Sequence, residues 1–427
     1  MRIREALEKG EGAEVKLRGW VYRQRASKNI AFVVLRDASS TIQCVFKKDN
    51  VSEEDFEHAS KVNMESSIEV KGTLKEDERA PEGYEVQASE INVVHDAERF
   101  PITEEQSTEL LLDKRHLWVR SQEITNVMKI RASVIKAARE FFDDRGWFEI
   151  QPPLITSSAC EGGTTLFEFD YFGDEAYLSQ SGQMYAEAMI YSLEKVYCFA
   201  PSFRAEKSRT RRHLTEYWHL EPEAAWMNHE ENMEVQEEMI AYICNKVAEE
   251  REKELKALDR DPEKLKNIET PFERITYTEA LEKLNDNGFN LTWGEDFGTK
   301  EERFLTKDRE QPLIIEKYPL EAKAFYMKTD PDNDKQVLCN DIIAPQGFGE
   351  IIGGSERESD NQILIERLKK EGAELDNYEW YLDLRKFGSV PHSGFGLGIE
   401  RLIRWIADLD HIRDAIPFPR TPRRHSP

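Results

Sequence analysis

Between Phe203 and Glu223 the chain reads FRAEKSRTRRHLTEYWHLEPE, an arginine-rich loop held between two strand-like runs. The flanks YCFAPSFRAE and TEYWHLEPEAAW are rich in aromatic and strand-forming residues, which predicts a hairpin. Its loop, KSRTRRH, carries five basic groups in seven positions, counting His213. A guanidinium fork donates paired hydrogen bonds to phosphate oxygens, so such a hairpin suits a polyphosphate. On composition alone, a solvated hairpin tip would be the commoner use of those charges. The rest of the chain bears on the choice.

At 427 residues there is room for two or three domains with substantial cores. Hydrophobic residues make up 39% and charged residues 33%, and no run of eighteen apolar residues suggests a membrane span, so a soluble protein away from membranes is expected. The opening MRIREALEKGEGAEVKLRGW has no apolar segment followed by a small-residue cleavage site, which points to a cytoplasmic location. Cys44, Cys160, Cys198, Cys244 and Cys339 are dispersed, odd in number and without a CxxC pair; they read as reduced thiols, not disulfides or zinc ligands. A net charge of -24 argues against long-range attraction to nucleic acid. Any RNA contact must then be local, and RQRASK, KSRTRRH and PRTPRRHSP are the basic segments available for it.

The expected class is α+β. VKLRGWVYRQ, IAFVVLRDAS, TIQCVFKK, SSIEVKGTLK and YEVQASEINVV are five short strand-like runs, which suggests a small closed barrel of the oligonucleotide-binding (OB) type within residues 1–100. The charged, weakly periodic segment 101–123 reads as a hinge, and residues 124–427 as a larger second domain. There, apolar residues from Ile124 to Ala138 recur at helical spacing and lead to Phe141 and Phe142 before Gly146. WFEIQPPLI follows as an extended run; Pro152 and Pro153 cannot donate to a ladder, so it belongs at an edge or interface. Residues 229–265 form an acidic helical region, and 250–300 holds no recognisable motif.

Three further segments carry candidate chemistry. In LCNDIIAPQGFGEIIGGSERE, a Pro-Gln-Gly turn near 345–347 should fold a hairpin that sets Asp341 roughly opposite Glu350. Like charges across a ladder destabilise it unless neutralised, and magnesium held with phosphates would do so; two solvent-facing carboxylates are the alternative. HSGFGLGIERLIRWI places Gly394, Gly396 and Gly398 before a helix carrying Arg401, and its GxGxG spacing is not a dinucleotide fingerprint. EGGTTLFEFDYFGDEAYLSQSGQMYAEAM sets Glu161, Gln180, Gln183 and Glu187 among aromatics, a mixture suited to a small zwitterion.

Together the segments resemble a known family. FRAE followed by TRRHLTE is similar to motif 2 of the class II aminoacyl-tRNA synthetases, GFGLGIERL to their motif 3 and WFEIQPPLI to their weaker motif 1, in the family's order. The barrel points to the subgroup of aspartyl, asparaginyl and lysyl enzymes; the class I signatures HIGH and KMSKS are absent. The resemblance therefore implies a class II catalytic domain, an antiparallel sheet flanked by helices, behind an OB-fold anticodon-binding domain. Aspartyl enzymes read QSPQxxK where this chain has QSGQMYAE, with Ala186 at the lysine position and Glu187 beside it. A carboxylate there would repel aspartate and accept from an amide nitrogen, so the pocket resembles that of the asparaginyl enzymes in their archaeal-like form. QSGQxYAE, LEAKAFYMK, GEIIGGSERE and IRDAIPFPRTPRR agree with it. An aspartyl enzyme, charging one or both of the aspartate and asparagine tRNAs, is the other reading.

What the resemblance implies can be set on individual residues. Arg204 would bind the α-phosphate of ATP, with Arg401 as the second catalytic arginine and Tyr217 against adenine. Glu206 and His213 would join the ATP site, and Asp341 and Glu350 would hold Mg2+. Arg357 would donate to the amide oxygen of L-asparagine and Glu187 accept from its nitrogen. Glu161, Ser181, Gln183 and Glu221 would hold the α-amino group. Arg25, Phe32 and Gln43 would contact the anticodon of tRNA(Asn), although Phe32 would equally fit a barrel core, and Pro153 would lie at a homodimer interface.

Overall fold

In the first strands, side chains alternate between the inside and outside of a closed sheet. The computed structural model describes residues 1–80, 82–103, 106–160, 165–207 and 210–427. Strands β1 (Glu14–Ala26), β2 (Ile30–Arg36), β3 (Thr41–Lys47), β4 (Ser67–Glu76) and β5 (Tyr84–His95) close a barrel in the order β1-β2-β3-β5-β4. All neighbours are antiparallel except β3 and β5. Along β2, Ala31, Val33 and Leu35 are buried while Phe32, Val34 and Arg36 are half-exposed, the period of two that a one-sided strand requires. A helix, Glu53–Lys61, lies between β3 and β4 in sequence; the Ser52 side chain caps it by accepting from the Asp55 amide. This five-stranded barrel is the expected OB fold.

The chain divides into two compact units, Met1–Leu111 and Leu112–Pro427. Within the second, Arg115 is almost fully buried, and its guanidinium donates to the carbonyls of Pro417 and Ile416 at 2.8 and 2.9 Å. The later part of the expected hinge is thus tied to the chain's last residues.

The second unit contains β6 (Phe148–Ile150), β7 (Ile155–Thr156), β8 (Phe167–Tyr171), β9 (Asp174–Leu178), β10 (Lys195–Phe203), β11 (Glu216–Ala225), β12 (Glu273–Thr276), β13 (Leu313–Glu316), β14 (Thr329–Asp330), β15 (Asn333–Val337), β16 (Cys339–Ala344), β17 (Gly349–Glu356) and β18 (His392–Gly398). Eight of them form one sheet in the order β12-β13-β16-β17-β18-β11-β10-β6. The central six run antiparallel, as expected; only the edge strands β6 and β12 pair parallel to their neighbours. The arginine-rich hairpin is β10 and β11, in register from Lys195 opposite Ala224 to Phe203 opposite Glu216.

Helices Gln122–Asp143, His229–Glu250 and Ile399–Ile406 share a core with the sheet. The first starts where Ser121 caps the Ile124 amide and buries Ile124, Val127, Ile130, Val134, Phe141 and Phe142, the face anticipated from spacing. Phe142 stacks on Tyr197 of β10 with ring centroids 5.1 Å apart. Each such fully buried large side chain contributes about 1.5–3 kcal/mol. On β11, Leu220 and Ala224 face this core, which leaves the alternate residues for the opposite face. The acidic region breaks into three helices, His229–Glu250, Glu252–Ala257 and Glu263–Lys266.

Candidate active site

A cavity of about 420 Å³ opens on the side of the sheet away from that core. Its size is that of a ligand pocket for a nucleotide-sized molecule. Tyr217, His219, Glu221 and Glu223, every second residue of β11, form one wall. Arg204 and Glu206 stand just past the end of β10, where the Arg204 amide donates to Thr215 across the loop. Gly396 and Gly398 of β18 and Arg401 from the first turn of helix Ile399–Ile406 close the adjoining side.

The hairpin of β16 and β17 turns through Gln346 and Gly347, both in the left-handed region, as the Pro-Gln-Gly signal required. The register differs from the expected one. Asp341 faces Gly353 and Glu350 faces Ile343, with an irregularity after Ile342, so the two acids are offset and not opposed. They still converge: a Cβ on Gly353 would stand 3.5 Å from Asp341 Oδ1 and 3.8 Å from Glu350 Oε1. Repulsion between them is offset by cations. Lys323 donates to Asp341 Oδ2 at 2.8 Å and lies over the Tyr318 ring at 3.8 Å, while Arg401 pairs with Glu350 Oε2 at 2.9 Å. Burial pushes the Asp341 carboxyl up to about 6, aided by Glu350 and opposed by Lys323. Glu350 is also pushed up by burial, but Arg401, Lys323 and Arg212 outweigh this and hold it near 2. Two convergent hard oxygen donors, one of them firmly ionised, fit a divalent cation such as Mg2+.

Glu221 is buried yet aimed at the cavity. Its carboxylate accepts from the Gly182 amide at 2.8 Å and from the Ser181 hydroxyl, and His219 lies 3.5 Å away. Burial works against its charge, but His219, Ser181 and Gly182 lower it overall, so it stays an anion beside Ser181 and Gln183. Burial, with Arg401 and Arg212 nearby, pulls His213 below its usual value and keeps it neutral at pH 7.

The structure corrects one assignment: Glu187 is not among the residues lining the cavity. It is fully buried, and its carboxylate is consumed by Arg385 at 2.6 Å, Tyr381 at 2.9 Å and His392 at 3.0 Å, with Gln183 donating to it at 3.0 Å. Residue 187 sits on helix Gln183–Leu193, one turn past Gln183, so Gln183 meets the cavity and Glu187 stands behind it. The acid that does line the cavity beside Arg357 is Glu223. Arg357 donates to it through Nε at 3.0 Å and Nη2 at 2.8 Å, and through Nη1 to Ser355 at 2.8 Å. Gly394 makes room for this pair, since a Cβ there would stand 2.0 Å from Glu223 Oε2. Ligating atoms of Glu187, Glu223 and His392 lie within 4.8 Å of one another. The two carboxylates are already matched by Arg385 and Arg357, so the group is an ion network and not a metal site.

The remaining expected residues lie elsewhere. Glu161 falls outside the described residues. Arg25, Phe32 and Gln43 sit together on the outer barrel surface. Arg25 is paired with Phe32 in register, with its guanidinium 4.6 Å from the ring centroid, and Gln43 donates to Glu85 at 3.3 Å. Phe32 is therefore not a core residue. Pro153 is exposed beside Leu154 and Ile155.

A family model described as tRNA synthetases class II (D, K and N) matches residues 107–422, and one described as an OB-fold nucleic acid binding domain matches residues 15–94. The asparagine–tRNA ligase of Thermoplasma acidophilum is 51% identical over 97% of this chain and 97% of its own length, and that of Thermococcus kodakarensis is 52% identical over 98% and 97%. The chain belongs to the asparagine–tRNA ligase family of class II tRNA synthetases. A crystal structure of asparaginyl-tRNA synthetase from Pyrococcus horikoshii, complexed with asparaginyl-adenylate, is similar over 100% of this chain and 99% of that one, with a TM-score of 0.97 at 49% identity.

Among the cavity residues that went unassigned in the sequence are Glu223, Arg212 and Lys323. Glu223 was detectable, because it continues the period-two series Tyr217, His219, Glu221 on one face of β11. Arg212 lay within the basic loop but was indistinguishable there from its neighbours. Lys323 sits in LEAKAFYMK, and nothing local in that segment couples it to Asp341, 18 residues on.

Proposed function

We propose that the chain activates L-asparagine with ATP to form asparaginyl-adenylate and pyrophosphate, then transfers the asparaginyl group to the terminal ribose of tRNA(Asn). The observation that carries the choice of amino acid is the buried Arg357–Glu223 pair in the cavity wall. Arg357 donates to the side-chain amide oxygen and Glu223 accepts from its nitrogen, the role first given to Glu187. A neutral amide leaves this matched pair balanced, whereas an aspartate side chain adds an unpaired negative charge beside Glu223. Glu221, Ser181 and Gln183 hold the α-ammonium group, with Glu161 a further candidate. Arg204 stabilises the charge that develops as the asparagine carboxylate attacks the α-phosphorus. Tyr217 and Arg401 take the adenine, and Glu206, neutral His213 and Arg212 contact the rest of ATP.

Asp341 and Glu350 are the residues that would hold Mg2+, which when bound neutralises the phosphate oxygens. Lys323 keeps Asp341 compensated otherwise. In the barrel, Phe32 stacks a splayed anticodon base while Arg25 and Gln43 read its edge. A cytoplasmic location follows from the proposed use of tRNA(Asn), and no described helix is long and apolar enough to cross a membrane. Exposed Phe148, Leu154 and Ile155 beside Pro153 support a homodimer through this edge. The test is ATP–pyrophosphate exchange with asparagine against aspartate. Asparagine should support exchange far better, and a preference for aspartate would overturn the reading.

A further inference from the structure

Residues 250–300 carry no sequence motif, yet a side chain just past them reaches the back of the ATP wall. Glu302 lies on helix Thr299–Thr306 and is almost fully buried. Its Oε2 meets Arg212 Nη1 at 2.7 Å and accepts the Glu350 amide at 2.8 Å. One carboxylate oxygen therefore ties the basic loop after β10 to the start of β17, which carries a candidate metal ligand. We infer that Glu302 is a positioning residue for the phosphate site, holding Arg212 and Glu350 in one fixed relation; the inference rests on the function proposed above.

Three independent features agree. Gly349 has φ +87, and a Cβ there would stand 2.5 Å from Arg212 Cζ and 2.7 Å from Glu302 Oε2. The close approach thus demands a glycine, both for its conformation and for its lack of a side chain. Secondly, the same helix grips the hairpin turn: the Gln346 amide donates to Thr306 at 2.8 Å, and Arg212 Nη1 reaches Thr299 Oγ1 at 3.4 Å. Thirdly, Arg212 lines the cavity with its Nε lacking a partner among the described residues. A donor is left for a phosphate oxygen once Glu302 has fixed the rest of the fork. Because the two are at least nine-tenths buried, either one left alone would be an uncompensated charge.

The experiment compares Glu302→Gln and Glu302→Asp with the parent chain. Calorimetry measures ATP binding, and exchange assays yield KM for ATP and for asparagine. Glu302→Gln keeps an acceptor for the Glu350 amide but removes the charge that orients Arg212. It should weaken ATP binding and raise its KM about tenfold, the scale of one lost charge-assisted bond, with KM for asparagine within about twofold. Glu302→Asp should recover part of the loss. Equal effects on both substrates, or a lowered melting temperature with unchanged ATP binding, would overturn the inference. Should the parent chain fail to exchange with asparagine, the functional reading falls instead, and calorimetry with ATP still decides the role of Glu302.

Discussion

At the scale of single residues, two buried acids are told apart by their neighbours. Glu187 is enclosed by Arg385, Tyr381, His392 and Gln183, whereas Glu223 shares the cavity wall with Arg357. Glu187→Gln should therefore act chiefly on stability, by about 3 kcal/mol, because Arg385 is left as an unmatched buried cation. Chemical denaturation would measure it. Glu223→Gln should raise KM for asparagine at least tenfold, with KM for ATP little changed; exchange kinetics that show both constants moving together would return the amide nitrogen to another acceptor.

A second residue-scale prediction concerns acid. Burial, reinforced by Arg413, Arg404 and Arg211, pulls His411 down to about 4 from an ordinary 6.5. The folded state keeps it neutral while the unfolded chain binds a proton, so its contribution is intact above about pH 6.5 and is lost as pH falls toward 4. Between pH 7 and pH 5 the loss should be on the order of 1 kcal/mol, allowing for screening at a partly exposed ring. The His411 ring Nδ1 accepts from the Arg413 amide at 3.2 Å; His411→Asn, whose side-chain oxygen can take over that cap, should flatten that part of the stability profile.

Among secondary-structure elements, those legible in the sequence are the ones whose local pattern and tertiary environment agree. The β10–β11 hairpin, the helix Gln122–Asp143 and the barrel strands all appear where periodicity placed them. The β16–β17 turn was legible from Pro345 to Gly347, but its register was not, because an irregularity after Ile342 shifts the pairing without leaving a local mark. Phe32 shows the same limit: alternation along β2 leaves either face free to be the inner one until the barrel closes. Since it proves to be outside, beside Arg25, Phe32→Ala should weaken tRNA(Asn) binding by about 1–3 kcal/mol, the worth of one stacked base. Filter binding would detect this, and thermal unfolding should stay within about 2 °C of the parent, as expected for a surface change.

For the whole molecule, the edge of the large sheet has consequences beyond one chain. β6 ends the sheet with Phe148 exposed, and Leu154 and Ile155 continue the apolar surface past Pro152 and Pro153. If this edge is the homodimer interface, Ile155→Asp should yield a monomer of about half the parent's mass in sedimentation velocity, with adenylate formation reduced. A variant that still sediments as a dimer would move the interface elsewhere.

The sequence by itself determined the elements and the reaction class, since alternation, helical spacing and the order of motifs are properties of neighbouring residues. It also marked Arg204, Tyr217, Glu221, Glu350, Arg357 and Arg401, which the fold then brought to one cavity. Only the tertiary structure decided which acid faces that cavity, how Asp341 and Glu350 are offset, that Lys323 compensates Asp341, and that Glu302 joins Arg212 to Glu350. The reason is physical. A charge's role depends on the partners that remain within a few ångströms after burial, and those partners can lie far along the chain: 18 residues separate Lys323 from Asp341, and 205 separate Glu187 from His392.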